Sequence, residues 1–238
     1  RPQGETAHRY VMALGRIMRT LTERFPHILF EGCAAGGNRF DLGILCYFPQ
    51  IWASDNTDAV SRAYIQEGLS YGYPMSTVSA HVSACPNHQT LRVTPLSTRF
   101  NVAAFGICGY ECNLVDMSKA ERSEIKTQID IYKKWRHAMQ FGSFYRQRTG
   151  NIHQWTVVDE EAGRAVGLIM QELVRANTQN EEYYAAGLDP EAVYSFYNRP
   201  LKHNVKEFGD LINTVAPIHI RQGSLLHGMV AKFVTIPG

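Results

Sequence analysis

The decisive stretch reads Ile28-Leu29-Phe30-Glu31-Gly32-Cys33-Ala34-Ala35-Gly36-Gly37-Asn38-Arg39-Phe40-Asp41, then Leu42-Gly43-Ile44-Leu45-Cys46-Tyr47-Phe48-Pro49-Gln50-Ile51-Trp52-Ala53-Ser54-Asp55-Asn56-Thr57-Asp58. Two short apolar runs, 28–30 and 50–53, have the composition of buried parallel strands. Each opens directly into small polar residues: Cys33 to Arg39 after the first, Ser54 to Asp58 after the second. In a β/α barrel the residues just past the strand ends carry the chemistry. Adjacent glycines there let backbone approach a ligand closely, because they have no Cβ. Asp55 follows Trp52 at the end of the second run. An apolar ring beside a carboxylate is what a sugar site requires: a platform and a proton carrier.

Outward from this stretch, Ala7 to Phe25 repeats apolar residues at three and four (Tyr10, Val11, Leu14, Ile17, Met18, Leu21, Phe25), which predicts a helix stopped by Pro26. A second helix is expected after Asp55, capped by Asn56 or Thr57, with Asp58 in its first turn and Val60, Tyr64, Ile65 and Leu69 as its buried stripe. Residues 75–83 read as a strand, 84–94 as a long loop, 96–107 as a helix and 112–115 as a strand. Ser118-x-x-Glu121 is a capping box for a last helix striped by Ile125, Ile129, Tyr132 and Trp135. This order suits the second half of a (β/α)8 barrel over residues 1–140. From 141 the pattern changes: runs at 142–148, 152–158 and 165–174, with turn signals at Gly150-Asn151 and Gly163, predict antiparallel strands. Residues 177–200 read as loop, and 217–220 and 230–236 as further strands. Residues 141–238 are thus expected to form an antiparallel β-domain.

Composition narrows the function. The 238 residues are 45% hydrophobic and 19% charged, as in ordinary globular proteins. A formal net charge of +2 gives no electrostatic case for nucleic acid or an anionic membrane. No apolar run approaches the roughly 20 residues that a membrane helix needs. The chain starts Arg1-Pro2-Gln3, with neither Met nor a signal peptide, and is expected to be a fragment or a processed chain. Five cysteines, an odd count, argue for a reducing, cytoplasmic setting. Cys108-x3-Cys112 and Cys85-x2-His88 have ligand-like spacings, but without a paired C-x2-C set they read as small buried thiols. No metal is expected, and no nicotinamide cofactor, since no Gly-x-Gly-x-x-Gly occurs.

The central stretch closely resembles family 36 of the glycoside hydrolases, the bacterial α-galactosidases or melibiases. Their pattern is C-x-x-G-G, then R-F-D-x-G-x-L-x-Y-x-P-Q-x-W-x-S-D-x-T-D, which here runs from Cys33 to Asp58 without a gap. The resemblance continues through Tyr73-Pro74, Ala80 to Ser83, Pro86 to Gln89, Arg92 to Leu96 and Gly109-Tyr110-Glu111. Ala35 and Asn38 are small departures, where the family often has Ser and Gly.

The resemblance implies retaining hydrolysis of terminal α-linked galactose, as in melibiose or raffinose, with Asp55 as the acid/base. It also implies a nucleophile Asp in a Lys-x-Asp-x-Asn sequence. Retention needs two carboxyls roughly 5–5.5 Å apart. No Lys-x-Asp-x-Asn occurs in these residues, so the chain is expected to hold half an active site. The family's loop beside the sugar 2-hydroxyl corresponds to Cys33 to Gly37, which implies substrate binding by Cys33 and Gly36. Trp52 is expected either to pack on the sugar face or to pack in the core, and a tetramer is implied as the assembly. Glu31, Arg39, Asp41, His81 and His88 read as scaffold. The alternatives are an α-N-acetylgalactosaminidase or galactosyl transferase on the same scaffold, or an inactive remnant.

Overall fold

The computed structural model describes residues 3–173 and 185–189, and the backbone alone of 194–196, 199–200 and 228–235. Helix α1 (Gln3–Arg24) leads to strand β1 (Glu31–Gly32), the short helix α2 (Leu42–Leu45) and β2 (Gln50–Trp52). Helix α3 (Ala59–Leu69), a 3-10 turn (Met75–Thr77), β3 (Val78–Ser83), α4 (Leu96–Ala103), β4 (Ile107–Glu111) and α5 (Lys119–Phe141) follow. The four strands make one parallel sheet in the order β1-β2-β3-β4. Parallel neighbours joined through helices are the βαβ arrangement expected from the sequence.

Alternation along the strands sorts the side chains. Ile51, Val78, Ala80 and Val82 are buried against the helices. Glu31, Gln50, Trp52, Ser79, His81 and Glu111 lie on the other face, by the register Glu31↔Gln50, Trp52↔Ser79 and His81↔Gly109.

Helix α1 packs on α2 and β2 through Leu14 and Met18, which meet Ile44, Ile51 and Tyr47. Tyr10, Val11, Ile17 and Phe25 of its predicted stripe are exposed, so only part of that stripe is covered among the described residues. Helix α5 begins with the capping box foreseen at Ser118 and Glu121, and Ile125 and Trp135 of its stripe are buried. Three boundaries differ from expectation. The first strand is Glu31–Gly32, after the apolar 28–30, and Leu29 is exposed. Strand β4 precedes Cys112 and α4 stops at Ala103. Burial on both sides made the apolar 102–108 read alike as helix or strand.

The second sheet is antiparallel. Strands β5 (Ser143–Thr149), β6 (Ile152–Asp159), β7 (Arg164–Gln171), β8 (Tyr194–Phe196), β9 (Arg199–Pro200) and β10 (Gly228–Thr235) take the order β5-β6-β7-β10-β8-β9. Strand β6 is buried along its whole length, and among the described residues β5 is paired on only one side. Strands β8 and β9 fall inside the region read as loop. The expectation for 217–220 lies outside the described residues. One apolar cluster joins the sheets: Phe105, Trp135 and Met139 from the first part pack with Trp155, Val157, Leu168 and Met170 from the second.

Candidate active site

Because β1 and β2 run parallel, Cys33 and Asp55 leave the sheet at the same C-terminal edge. The loop after β1 turns sharply. Ala35, Gly36 and Gly37 all have left-handed backbone, with φ of 50°, 73° and 90°. At Gly36 and Gly37 close approach adds to the requirement for glycine. A Cβ on Gly36 would lie 2.7 Å from the Asp55 amide nitrogen, and one on Gly37 would lie 2.5 Å from the Ala53 carbonyl oxygen. The Cys33–Asn38 loop therefore rests directly on the backbone of 53–55. Cys33 and Asp55 are both exposed.

Asp55 is oriented by Trp52, whose indole Nε1–H donates to Asp55 Oδ1 at 2.9 Å. The Trp52 ring is itself held. The Arg62 guanidinium lies 4.7 Å from its centroid, and the His81 imidazole packs at 4.5 Å, tilted 36°. Arg62 is buried. It donates to the Ser54 carbonyl at 3.2 Å and to the Ser79 carbonyl. Burial lowers its pKa to about 10, opposed by the Glu111 carboxylate. His81 faces Glu111, with Nδ1 3.4 Å from Oε2. A Cβ on Gly109 would come within 2.8 Å of the His81 ring.

The turn into α3 differs from expectation. Asp58, not Asn56 or Thr57, is the N-cap, accepting from Ser61 N at 3.2 Å and Ser61 Oγ at 3.0 Å. The other two caps are engaged elsewhere. Asn56 Oδ1 accepts from Asp58 N. Thr57 accepts from Ser83 Oγ and Asn87 Nδ2. Arg92 pairs with the fully buried Asp58 carboxylate at 3.2 Å.

The expected scaffold residues also find places. Asp41 caps α2 through Ile44 N at 2.9 Å. Arg39 donates to the Tyr10 hydroxyl at 3.3 Å. Glu31 accepts from Ser79 Oγ at 2.6 Å and from Gln50. His88 is exposed in the loop after β3. Cys85 is exposed rather than buried, whereas Cys108 is held in the packed layer behind β4, where burial pushes its thiol up to about 12. All five cysteines are free. Among the described residues no group of three His, Cys, Asp or Glu side chains could hold a metal, and no helix is long and apolar enough to cross a membrane.

Arg62 was not among the residues singled out from the sequence. Its signal was present but weak. Arg62, Gln66 and Glu67 occupy the buried face of α3, while the predicted Tyr64 is 41% exposed. Each of the three has work to do there: Arg62 on the strand-end carbonyls, Gln66 on the Val102 carbonyl at 2.9 Å, and Glu67 on His153 at 2.9 Å.

Comparison with known proteins bears on this arrangement. The family model described as Melibiase matches residues 1–142. The chain belongs to the melibiase family. In this melibiase chain, residues 152–227 further match the glycosyl hydrolase family 36 C-terminal domain. It is 47% identical over 195 residues to alpha-galactosidase AgaA of Geobacillus stearothermophilus, covering 81% of this chain and 27% of that protein. It is 45% identical to alpha-galactosidase 1 of Pediococcus pentosaceus, again over 81% of this chain and 27% of the relative. The melibiase chain thus spans about a quarter of the length of these curated relatives. The crystal structure of AgaA superposes with a TM-score of 0.91 at 40% identity, over 98% of this chain and 32% of that one. A variant of AgaA was solved in complex with raffinose, and it superposes with a TM-score of 0.90 over the same shares at 40% identity. The parallel sheet is accordingly part of a TIM barrel, and the antiparallel sheet belongs to the β-domain that follows it.

Proposed function

We propose that this chain carries the proton-transferring side of an α-galactosidase site, acting by retention on terminal α-linked galactose. The observation that carries the reading is the Asp55 carboxylate, exposed at the end of β2, oriented by the Trp52 N–H and backed by the Cys33–Gly37 loop. An exposed, directed carboxylate suits a group that must protonate a leaving oxygen and later deprotonate water. Cys33 and Gly36 line the approach to it and bind the sugar's 2-hydroxyl side. Trp52 offers the sugar what remains of its ring beside Arg62 and His81.

Relatives with structures in complex with raffinose and stachyose support oligosaccharides of that class as substrates. The mechanism needs a second carboxylate as nucleophile, in the Lys-x-Asp-x-Asn sequence that these 238 residues do not contain. Residues 1–140 and 141–238 are the corresponding barrel and β-domain parts. A cytoplasmic, reducing setting is supported by the five free cysteines. Assembly as a homo-oligomer, a tetramer, follows from the family resemblance alone.

The test is Asp55→Ala in the full-length enzyme. Turnover of raffinose, whose leaving group needs a proton, is expected to fall by about 10²–10⁴. A nitrophenyl galactoside, with a good leaving group, is expected to suffer less in its first step. Azide should restore activity and give a galactosyl azide of retained configuration. Equal losses on both substrates, with no azide rescue, would remove Asp55 from the role. Wild-type enzyme should prefer the nitrophenyl galactoside to its N-acetyl analogue.

A further inference from the structure

The inference here rests on Asp55 being the proton donor and concerns how that carboxylate is held. Arg62 is 2% exposed. Withdrawing a guanidinium from water is costly unless its charge and donors are compensated. Most buried arginines offset that with a carboxylate. The hydrogen bonds of Arg62 go instead to two backbone carbonyls, and its cationic face rests on an indole.

The placement of those contacts is informative. Ser54 is the residue immediately before Asp55, so the 3.2 Å bond to its carbonyl fixes the main chain at the point where Asp55 departs. Ser79 is the β3 partner of Trp52 in the sheet, so the bond to its carbonyl ties the neighbouring strand to the same guanidinium. Trp52 supplies the N–H that orients the Asp55 side chain. One planar fork therefore holds both the backbone and the side-chain orienter of Asp55. Lysine, a point charge on a flexible stem, does not offer that geometry.

We propose that Arg62 is a positioning residue for Asp55, acting through the Ser54 carbonyl and the Trp52 ring. Arg62 touches neither sugar nor reacting atoms in this scheme. It keeps the carboxylate within reach of the leaving oxygen, where a displacement of about 1 Å is enough to lose roughly 10²-fold in rate.

The test compares Arg62→Met and Trp52→Phe with Asp55→Ala in the full-length enzyme, on raffinose and on a nitrophenyl galactoside. Trp52→Phe keeps a ring for the guanidinium but removes the N–H. Both variants are expected to lower kcat on raffinose by roughly 10–10²-fold, less than or at most equal to the smallest loss expected on removing the acid/base outright. On the nitrophenyl substrate the loss should be several-fold smaller. The ratio of the two losses is the readout, because a general weakening of the fold lowers both alike. If Asp55→Ala shows no such selectivity, the proton-donor reading and this inference fail together. If Asp55→Ala is selective while Arg62→Met, folded by circular dichroism, lowers both substrates equally, the positioning role alone is overturned. Should Arg62→Met fail to fold, Trp52→Phe decides, and an unchanged ratio overturns the proposal.

Discussion

Replacing His153 by leucine tests what joins the barrel part to the β-sheet. His153, on β6, is fully buried between two carboxylates. Its Nδ1 lies 2.9 Å from Glu67 Oε2 on α3, and its Nε2 lies 2.7 Å from Glu172 Oε1 just past β7. Trp155 Nε1 also donates to Glu67, and the Tyr64 hydroxyl donates to Glu172. Both ring nitrogens face carboxylate oxygens, so the two bonds are made together only when the cluster holds a proton beyond that of neutral imidazole. Leucine fills the space but strands two carboxylates, whose exposures are only 10% and 16%. Breaking a buried pair by removing one partner costs about 3–5 kcal/mol, and the loss here should fall in that range. The exposed Arg9–Glu5 pair on α1, 63% and 39% exposed, gives the contrast, being worth about 0–1 kcal/mol. Urea unfolding of the full-length protein, followed by tryptophan fluorescence, measures the difference. Adding Glu67→Gln to His153→Leu should recover part of the loss, since the stranded charge is removed. A loss below about 1 kcal/mol for His153→Leu, or strict additivity in the double variant, would refute the reasoning.

Two further outcomes are expected. Gly36→Ala and Gly150→Ala both place a Cβ on left-handed backbone, at φ of 73° and 60°, so each should lose about 1–2 kcal/mol of stability. Only Gly36 abuts Asp55, whereas nothing lies within 4 Å of a Cβ at Gly150. Gly36→Ala should therefore also lower kcat/KM, and Gly150→Ala should leave it unchanged. The Ser118 capping box holds the Glu121 carboxyl below its ordinary value, chiefly through the bond it accepts from the Ser118 backbone N–H and also through its contact with the Ser118 side chain. A depressed carboxyl stabilises the fold fully above its unfolded value, and the contribution is lost as pH falls through the folded one. Thermal midpoints measured from pH 5 down to about 3 should accordingly fall less steeply in Glu121→Gln than in wild type.

Local chemistry was the legible part of this sequence. The Ser118 box, the Pro26 stop, the Gly163 turn and the small residues after β1 each act within a few positions, and each lies where its residues suggest. The strand ends at Cys33 and Asp55 were legible for the same reason, since an apolar run giving way to small polar residues marks the end of a buried strand. What was not legible depended on partners distant in the chain. Asp58 takes the cap from Asn56 and Thr57 because Asn87, from the loop after β3, claims the Thr57 hydroxyl and Asn56 turns its own oxygen to Asp58 N. Arg62 and Glu67 face inward because a carbonyl just past β2, a carbonyl of β3 and an imidazole of β6 await them. Periodicity alone assigns such polar residues to solvent, and so it selected Tyr64 for the buried stripe.

The apolar cluster running from Phe105 and Trp135 to Trp155 and Leu168 has a consequence for how the protein moves and how it evolves. Only Gly142 separates α5 from β5, so the sheet hangs on no tether along which it might swing. It is a buttress rather than a lid. A swing of this sheet is therefore no way to open or close the strand ends. The same junction limits recombination. A crossover at the α5–β5 boundary would divide one hydrophobic interior between two parents, leaving the Trp155 face against helices it did not evolve with. It would also part Glu67 of α3 from His153 of β6, which meet across the junction.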